Sequence, residues 1–286
     1  IKGEIKIMVK IITDSSSDLT HDYQQKHSIT VVPMPISFGE ESYLSGVDLS
    51  TQEFYEKLKQ STVLPTTSMV NEYSWAESFK EEVNKGNEVV AITISSELSL
   101  TYEQAKSAAS TVNKDKVYVV DSLNASFGQA QVVLEAVRLR DEGKSAKEIY
   151  DELNKFVHKV RLVAFVDTLH YLKMGGRLKG SAAMIGTLLK VKPILGVEGG
   201  HVVSKTKAIG KANAFNKLIG IVKGMKIDKS KRIIIAHAND EKALGEFKQL
   251  ISKELQIVVT DELQLGSTIG VHVGPGAVGI SIAEEE

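Results

Sequence analysis

The chain contains no cysteine. That excludes disulfides, thiolate zinc sites, iron–sulfur clusters and a thiol nucleophile, so any chemistry rests on oxygen and nitrogen, and no oxidising compartment is required. An excess of either charge is also missing: 35 Lys+Arg stand against 36 Asp+Glu, a formal net charge of −1, and no long basic run occurs. The electrostatic footprint of a nucleic-acid binder is therefore absent. Hydrophobic residues make up 42% of the 286 positions, yet no apolar run approaches the roughly 18 residues that a membrane span needs, and no signal-peptide pattern opens the chain. The seven histidines contain no helix-borne metal pattern, the closest pair being His21 and His27. The expectation is a cytoplasmic, globular protein without metal or cofactor, built as one large domain or two small ones.

What is present is an alternation of strand and helix patterns, the mark of an α/β protein. Val9 to Thr13 is short, apolar and β-branched, and runs through Asp14-Ser15-Ser16-Ser17-Asp18 into a polar helical stretch. The seven residues ahead of Met8 match no pattern and are expected to be an appended extension. Ile29 to Phe38 is extended, but Pro33 and Pro35 lack ladder donors and place it at a sheet edge or in a rim. Ser50-Thr51-Gln52-Glu53 and Ser145-Ala146-Lys147-Glu148 are capping boxes. Further strands are expected at Val89 to Ile94, Val117 to Val120, Leu162 to Val166, Arg232 to Ala236, Ile257 to Val259, Ile269 to Val273 and Gly279 to Ile282. The intervening helices include Thr101 to Val112, Ser126 to Glu142, Ser181 to Leu189, Ala208 to Val222 and Lys242 to Lys253, with a hairpin at Gly199-Gly200. A change of rhythm near residue 160 divides the chain into 8–160, with a doubly wound, mostly parallel sheet, and 161–286, a smaller α/β unit.

Two motif matches fail on context. Gly274-Pro275-Gly276-Ala277-Val278-Gly279 spells the dinucleotide fingerprint, but only seven residues follow it, too few for the helix and second strand that fingerprint needs. It reads as a glycine turn between two strands. Gly143-Lys144-Ser145 ends like a phosphate loop, yet Arg138 occupies the position of the first glycine. No serine sits in a G-x-S-x-G elbow.

Hydroxyl clusters are the informative feature. Thr67 and Ser68, Ser95 and Ser96, and Ser122 each follow a strand or turn and precede a helix, where amide dipoles favour an anion. Each alone reads as a helix N-cap. Together, at the carboxyl ends of parallel strands, they converge on one crevice. His272 lies in the apolar run Ile269 to Val273 and reads either as a satisfied core histidine or as a site residue. Arg177, after Gly175-Gly176, reads either as a solvated charge or as a cation offered to an anionic group.

These motifs match a known family. The chain resembles the DegV-type fatty-acid-binding proteins of bacteria, the lipid-carrying subunits that present fatty acids to a soluble fatty acid kinase. The resemblance rests on Ile12 to Leu19, Pro65-Thr66-Thr67-Ser68, Ile94 to Tyr102, Val119 to Ser122, Leu172 to Leu178, Lys192-Pro193-Ile194 and His272-Val273-Gly274-Pro275-Gly276. It implies a two-domain DegV-like fold with a ligand tunnel between the domains, and a carboxyl held by Thr67, by Ser95 or Ser96, and by His272. It also implies Arg177 near the site of phosphoryl transfer and a kinase partner that turns a palmitate- or oleate-type acid into an acyl phosphate for phospholipid synthesis. The chain would then carry rather than catalyse, with the fatty acid as its ligand and at most transient contact with a membrane surface. Leu100 stands where the family usually has glycine, and Met69-Val70 replaces a common Gln-Pro. Both departures bear on loop shape and acyl preference, as does packing around Phe127, Met184, Ile185 and Leu189. The rival reading is a stand-alone enzyme, either a hydrolase pairing Ser96 with His272 or an isomerase of a phosphorylated small molecule.

Overall fold

The computed structural model describes residues 8–179 and 190–285. The expected extension 1–7 and the helix expected at Ser181 to Leu189, with Met184 and Ile185, lie outside the described residues. In chain order the first part comprises β1 (Val9–Asp14), a single 3₁₀ turn at Ser15–Ser17, α1 (His21–His27), β2 (Ile29–Val32), β3 (Pro35–Phe38), β4 (Glu41–Leu44) and α2 (Thr51–Gln60). There follow β5 (Thr66–Thr67), α3 (Glu72–Asn84), β6 (Glu88–Thr93), α4 (Thr101–Val112), β7 (Val117–Asp121), α5 (Ser126–Asp141) and α6 (Ala146–Phe156). The remainder is β8 (Val160–Phe165), α7 (His170–Met174), β9 (Val191–Glu198), β10 (His201–Ile209), α8 (Lys211–Lys223), β11 (Ile234–His237), α9 (Glu241–Leu255), β12 (Asp261–Gln264), α10 (Ser267–Val273) and β13 (Val278–Ala283).

Among the described residues the strands form three sheets. The first is wholly parallel in the order β2-β1-β6-β7, which reverses direction at β1. The second has the order β10-β9-β8-β13-β11-β12, antiparallel except for the β11–β12 pair. A small antiparallel sheet, β4-β3-β5, stands beside them. Successive strand residues point to opposite faces, so buried sheets read as continuous apolar runs. Ile12, Val89 and Ala91 pack outward under Trp75 and Phe79 of α3, whereas Ile11, Val90 and Ile92 pack inward toward α5. In the second sheet Ile234 and Ala236 face inward, while Ile235, Ile280 and Phe165 face out under Phe215 of α8 and Phe247 of α9.

Helix α5 lies between the two large sheets, and Ser126 through Val137 are buried without a break. A helix apolar on one stripe only would leave a wet face, and α5 has none over that stretch. The crevice where the parallel sheet changes direction therefore opens toward the inner face of the second sheet.

Both capping boxes form as expected, with Ser50 paired to Glu53 and Ser145 to Glu148. Other expectations are corrected. Ile269 to Val273 is not a strand but part of α10, because a five-residue apolar run is equally compatible with a buried helix. The strand expected at Ile257 to Val259 forms instead at Asp261–Gln264, beside β11. Ala208 belongs to β10, which runs to Ile209 before α8 begins at Lys211. None of the singled-out hydroxyls caps a helix. Asn71 caps α3, and α4 and α5 begin after Leu100 and Ala125 without a side-chain cap. The G-P-G turn joins a helix to a strand, with Gly274 and Gly276 at φ of 66° and 84°.

Candidate binding site

Two adjoining cavities occupy the crevice. One, of about 610 Å³ and partly open to solvent, carries the polar groups Thr67, Ser68, Ser99, Arg177, Thr268 and His272 in a lining that is otherwise apolar and includes Met34, Met69, Ile94 and Leu98. The other, of about 560 Å³, is lined by aliphatic residues, by Phe127 and by Ser126, whose hydroxyl is turned away to Asp18. Ala125, Leu172, Val202, Ile269 and Val273 line both. A mouth that carries polar groups and leads to a dry interior suits a ligand with one polar end.

The polar cavity centres on His272. Helix α10 presents its imidazole so that Nε2 lies 2.8 Å from Oγ1 of Thr67, in a hydrogen bond between the last helix and the β5 edge of the small sheet. Nδ1 is buried and has no hydrogen-bond partner among the described residues. It lies against Gly175, where a Cβ would come within 2.4 Å of it. Gly175 is therefore a glycine because the imidazole occupies the space of a side chain. Burial, reinforced by the nearby Arg177 guanidinium, pushes the His272 pKa down to about 4. The ring is neutral at physiological pH, and its tautomer follows its partners.

Arg177 is exposed at the mouth. Its Nε donates to the Leu98 carbonyl at 3.2 Å and Nη1 to the Gly175 carbonyl at 2.6 Å. Among the described residues it meets no carboxylate, so its charge remains available to an anion. Gly176, at φ 68°, supplies the left-handed turn that brings the arginine round to the cavity.

The serine-rich turn after β1 fixes α10. Asp18 accepts from Gly266 N at 2.8 Å and from the Ser126 hydroxyl, tying the starts of α10 and α5 together. Burial pushes its pKa up to about 7, with the hydrogen bonds from Ser126 and Gly266 opposing and the Asp14 charge adding. The Ser15 and Thr268 hydroxyls are 2.9 Å apart, as Ser45 and Ser267 are at 2.8 Å. Asp14, also buried and raised by burial, accepts from Ile94 N at 2.9 Å and joins the ends of the two central parallel strands.

Of the residues singled out in the sequence, Thr67, Ser68, Arg177 and His272 come together at the polar cavity. Ser95 and Ser96 stand off. The Ser95 hydroxyl donates to the Gly200 carbonyl at 2.9 Å, holding the β9–β10 hairpin tip, and the Ser96 amide donates to Asp121. The Ser122 hydroxyl bonds the Asn124 carbonyl within its own turn. The loop from Ser95 instead brings Ser99 to the cavity wall, its hydroxyl 2.9 Å from that of Thr101. Ser99 and Thr268 are the site hydroxyls that sequence reasoning passed over. Ser99 shares a motif with Ser95, whereas Thr268 immediately precedes the run Ile269 to Val273, which reads as a strand and is the helix α10. Among the described residues no cluster of three potential metal ligands occurs, and no helix is long and apolar enough to cross a membrane.

Known proteins share this fold. The profile of the DegV family, described as uncharacterised proteins, matches residues 8–285. A DegV domain-containing protein of Caldanaerobacter subterraneus is 34% identical over 278 residues, covering 97% of this chain and 99% of that protein. The crystal structure of a stearic acid-binding protein from Eubacterium ventriosum superposes with a TM-score of 0.89 at 28% identity, over 97% of this chain and 98% of the other. The structure of DegV from Bacillus subtilis, described as a fatty acid binding protein, gives 0.83 at 30% identity, over 98% and 100%. With the family profile matching residues 8–285 and a relative 34% identical over nearly the full length, the chain belongs to the DegV family.

Proposed function

We propose that this protein binds a long-chain fatty acid, of palmitate or oleate type, and presents its carboxyl group to a fatty acid kinase. The observation that carries this reading is the junction of the polar cavity around Thr67 and His272 with the aliphatic cavity behind it. The tail lies in the aliphatic cavity, between the units 8–160 and 161–286, and supplies most of the affinity. At about 0.8 kcal/mol per buried methylene, a long chain contributes on the order of 10 kcal/mol before ordering costs, against about 1 for each neutral hydrogen bond.

The carboxylate lies among Thr67, Ser68 and His272, with Arg177 offsetting its charge. Ser99 takes the place expected for Ser95 or Ser96, which act by shaping its loop. The chain itself is non-catalytic. His272 bonds Thr67 and not Ser96, and its buried Nδ1 meets no acceptor that would orient it as the base of a nucleophile. The kinase supplies ATP and metal in the cytoplasm. A carboxylate oxygen attacks the γ-phosphorus, ADP leaves, and Arg177 stabilises charge on the acyl phosphate as it forms. The direct test is organic extraction of purified protein followed by mass spectrometry. Recovery of about one fatty acid per chain supports the reading; no recovered fatty acid together with no uptake of added palmitate or oleate defeats it.

A further inference from the structure

The floor of the aliphatic cavity is a row of small residues. Ala164 of β8 pairs with Gly279 of β13, which pairs in turn with Ala236 of β11. Directly opposed residues of antiparallel strands share a face, and all three line the cavity. A glycine inside a strand weakens it and marks a place where another group comes close. At Gly279 those groups are Phe127 of α5 and the neighbouring strand β8: a Cβ there would lie 2.7 Å from the ring's Cζ, 2.6 Å from the Ala164 Cβ and 2.7 Å from the Val163 carbonyl oxygen. The ring thus sits in a notch where the sheet has no side chain, and it forms a wall of the same cavity. Ser126, one residue earlier, is held by Asp18 and fixes the start of the helix that carries it.

We infer that Phe127, seated at Gly279, sets the length of acyl chain this protein accepts. The inference rests on the fatty-acid reading above and adds the residue pair that selects among fatty acids. Filling the notch drives the ring into the cavity and shortens it, whereas removing the ring lengthens it. The two substitutions therefore act in opposite directions, which a general loss of packing does not produce.

The test is competition binding of saturated fatty acids of 12 to 20 carbons to the full-length protein and to Phe127→Ala, Phe127→Leu and Gly279→Ala. The expected result is that Phe127→Ala raises the ratio of affinities for 18 over 14 carbons at least fivefold, Phe127→Leu raises it less, and Gly279→Ala lowers it at least fivefold. Ratios within twofold of the parent in both Phe127 variants, whatever their absolute affinities, overturn the inference, and they do so even if Gly279→Ala fails to fold. A parent protein that binds none of these acids overturns the fatty-acid reading as well, so the two failures are distinguishable.

Discussion

Thr67 Oγ1 and His272 Nε2, 205 residues apart in sequence, lie 2.8 Å from each other at the mouth of an apolar cavity. The pair joins the small sheet to the last helix and marks where a carboxyl group would enter. On the proposed function the tail governs retention and this pair governs orientation, so Thr67→Val is expected to weaken fatty acid binding only about fivefold, the equivalent of one net hydrogen bond. Acyl phosphate formation with the partner kinase falls by at least tenfold more than that. Equilibrium binding and a coupled kinase assay on the same preparation check both numbers; equal losses in the two contradict the division of labour.

Gly175 stands behind the imidazole. Gly175→Ala places a Cβ in collision with His272 Nδ1, so the ring must turn and the bond to Thr67 must open. The variant is expected to reproduce the presentation defect of His272→Gln while the aliphatic cavity remains intact. Imidazole NMR signals unchanged from the parent would show that the ring has room to spare.

Arg177 acts on His272 through charge. Its removal in Arg177→Gln is expected to raise the His272 pKa above its value of about 4 and to reduce the salt sensitivity of carboxylate binding. NMR titration of the ring and binding at two ionic strengths measure the two effects. An unchanged ring pKa would mean that burial alone depresses it.

Two buried groups give opposing pH dependences. Burial pushes His272 down to about 4 in the fold from its ordinary 6.5, so between those values the unfolded chain binds more protons and stability rises with pH. Asp18 titrates near 7 in the fold against 3.8, so the native state binds more protons in that window and its contribution is lost as pH rises through about 7. Chemical denaturation from pH 4 to 7.5 separates them. The stability difference between parent and Asp18→Asn should shrink with rising pH, and that between parent and His272→Gln should grow. Differences that stay flat with pH would remove both groups from the titration.

Much of this was legible in the amino-acid sequence because local rules sufficed. The boxes Ser50 to Glu53 and Ser145 to Glu148 start helices where hydroxyl and carboxylate reciprocate, and β1, β6 and β7 announce themselves as buried β-branched runs. Helix α10 was not legible. Its run Ile269 to Val273 is β-branched and short, and what makes it helical is tertiary: Asp18 holds Gly266 N, and Gly270 admits Phe54 of α2 so closely that a Cβ would lie 2.4 Å from the ring. The convergence of Thr67 with His272 came from motif resemblance, since nothing local ties residues so distant. Ser95 and Ser99 lie four apart in one motif, and only the path of the loop over the β9–β10 hairpin turns the first to Gly200 and the second to the cavity.

The central claim is that one fatty acid occupies the joined cavities with its carboxyl beside Thr67 and His272. The most direct measurement is titration of delipidated protein with palmitate carrying ¹³C at the carboxyl carbon, followed by NMR. The account predicts one bound equivalent per chain and a single carboxyl resonance, distinct from free palmitate, that shifts in both Thr67→Val and His272→Gln. Absence of a stoichiometric bound signal, or a bound signal unmoved by either substitution, contradicts it.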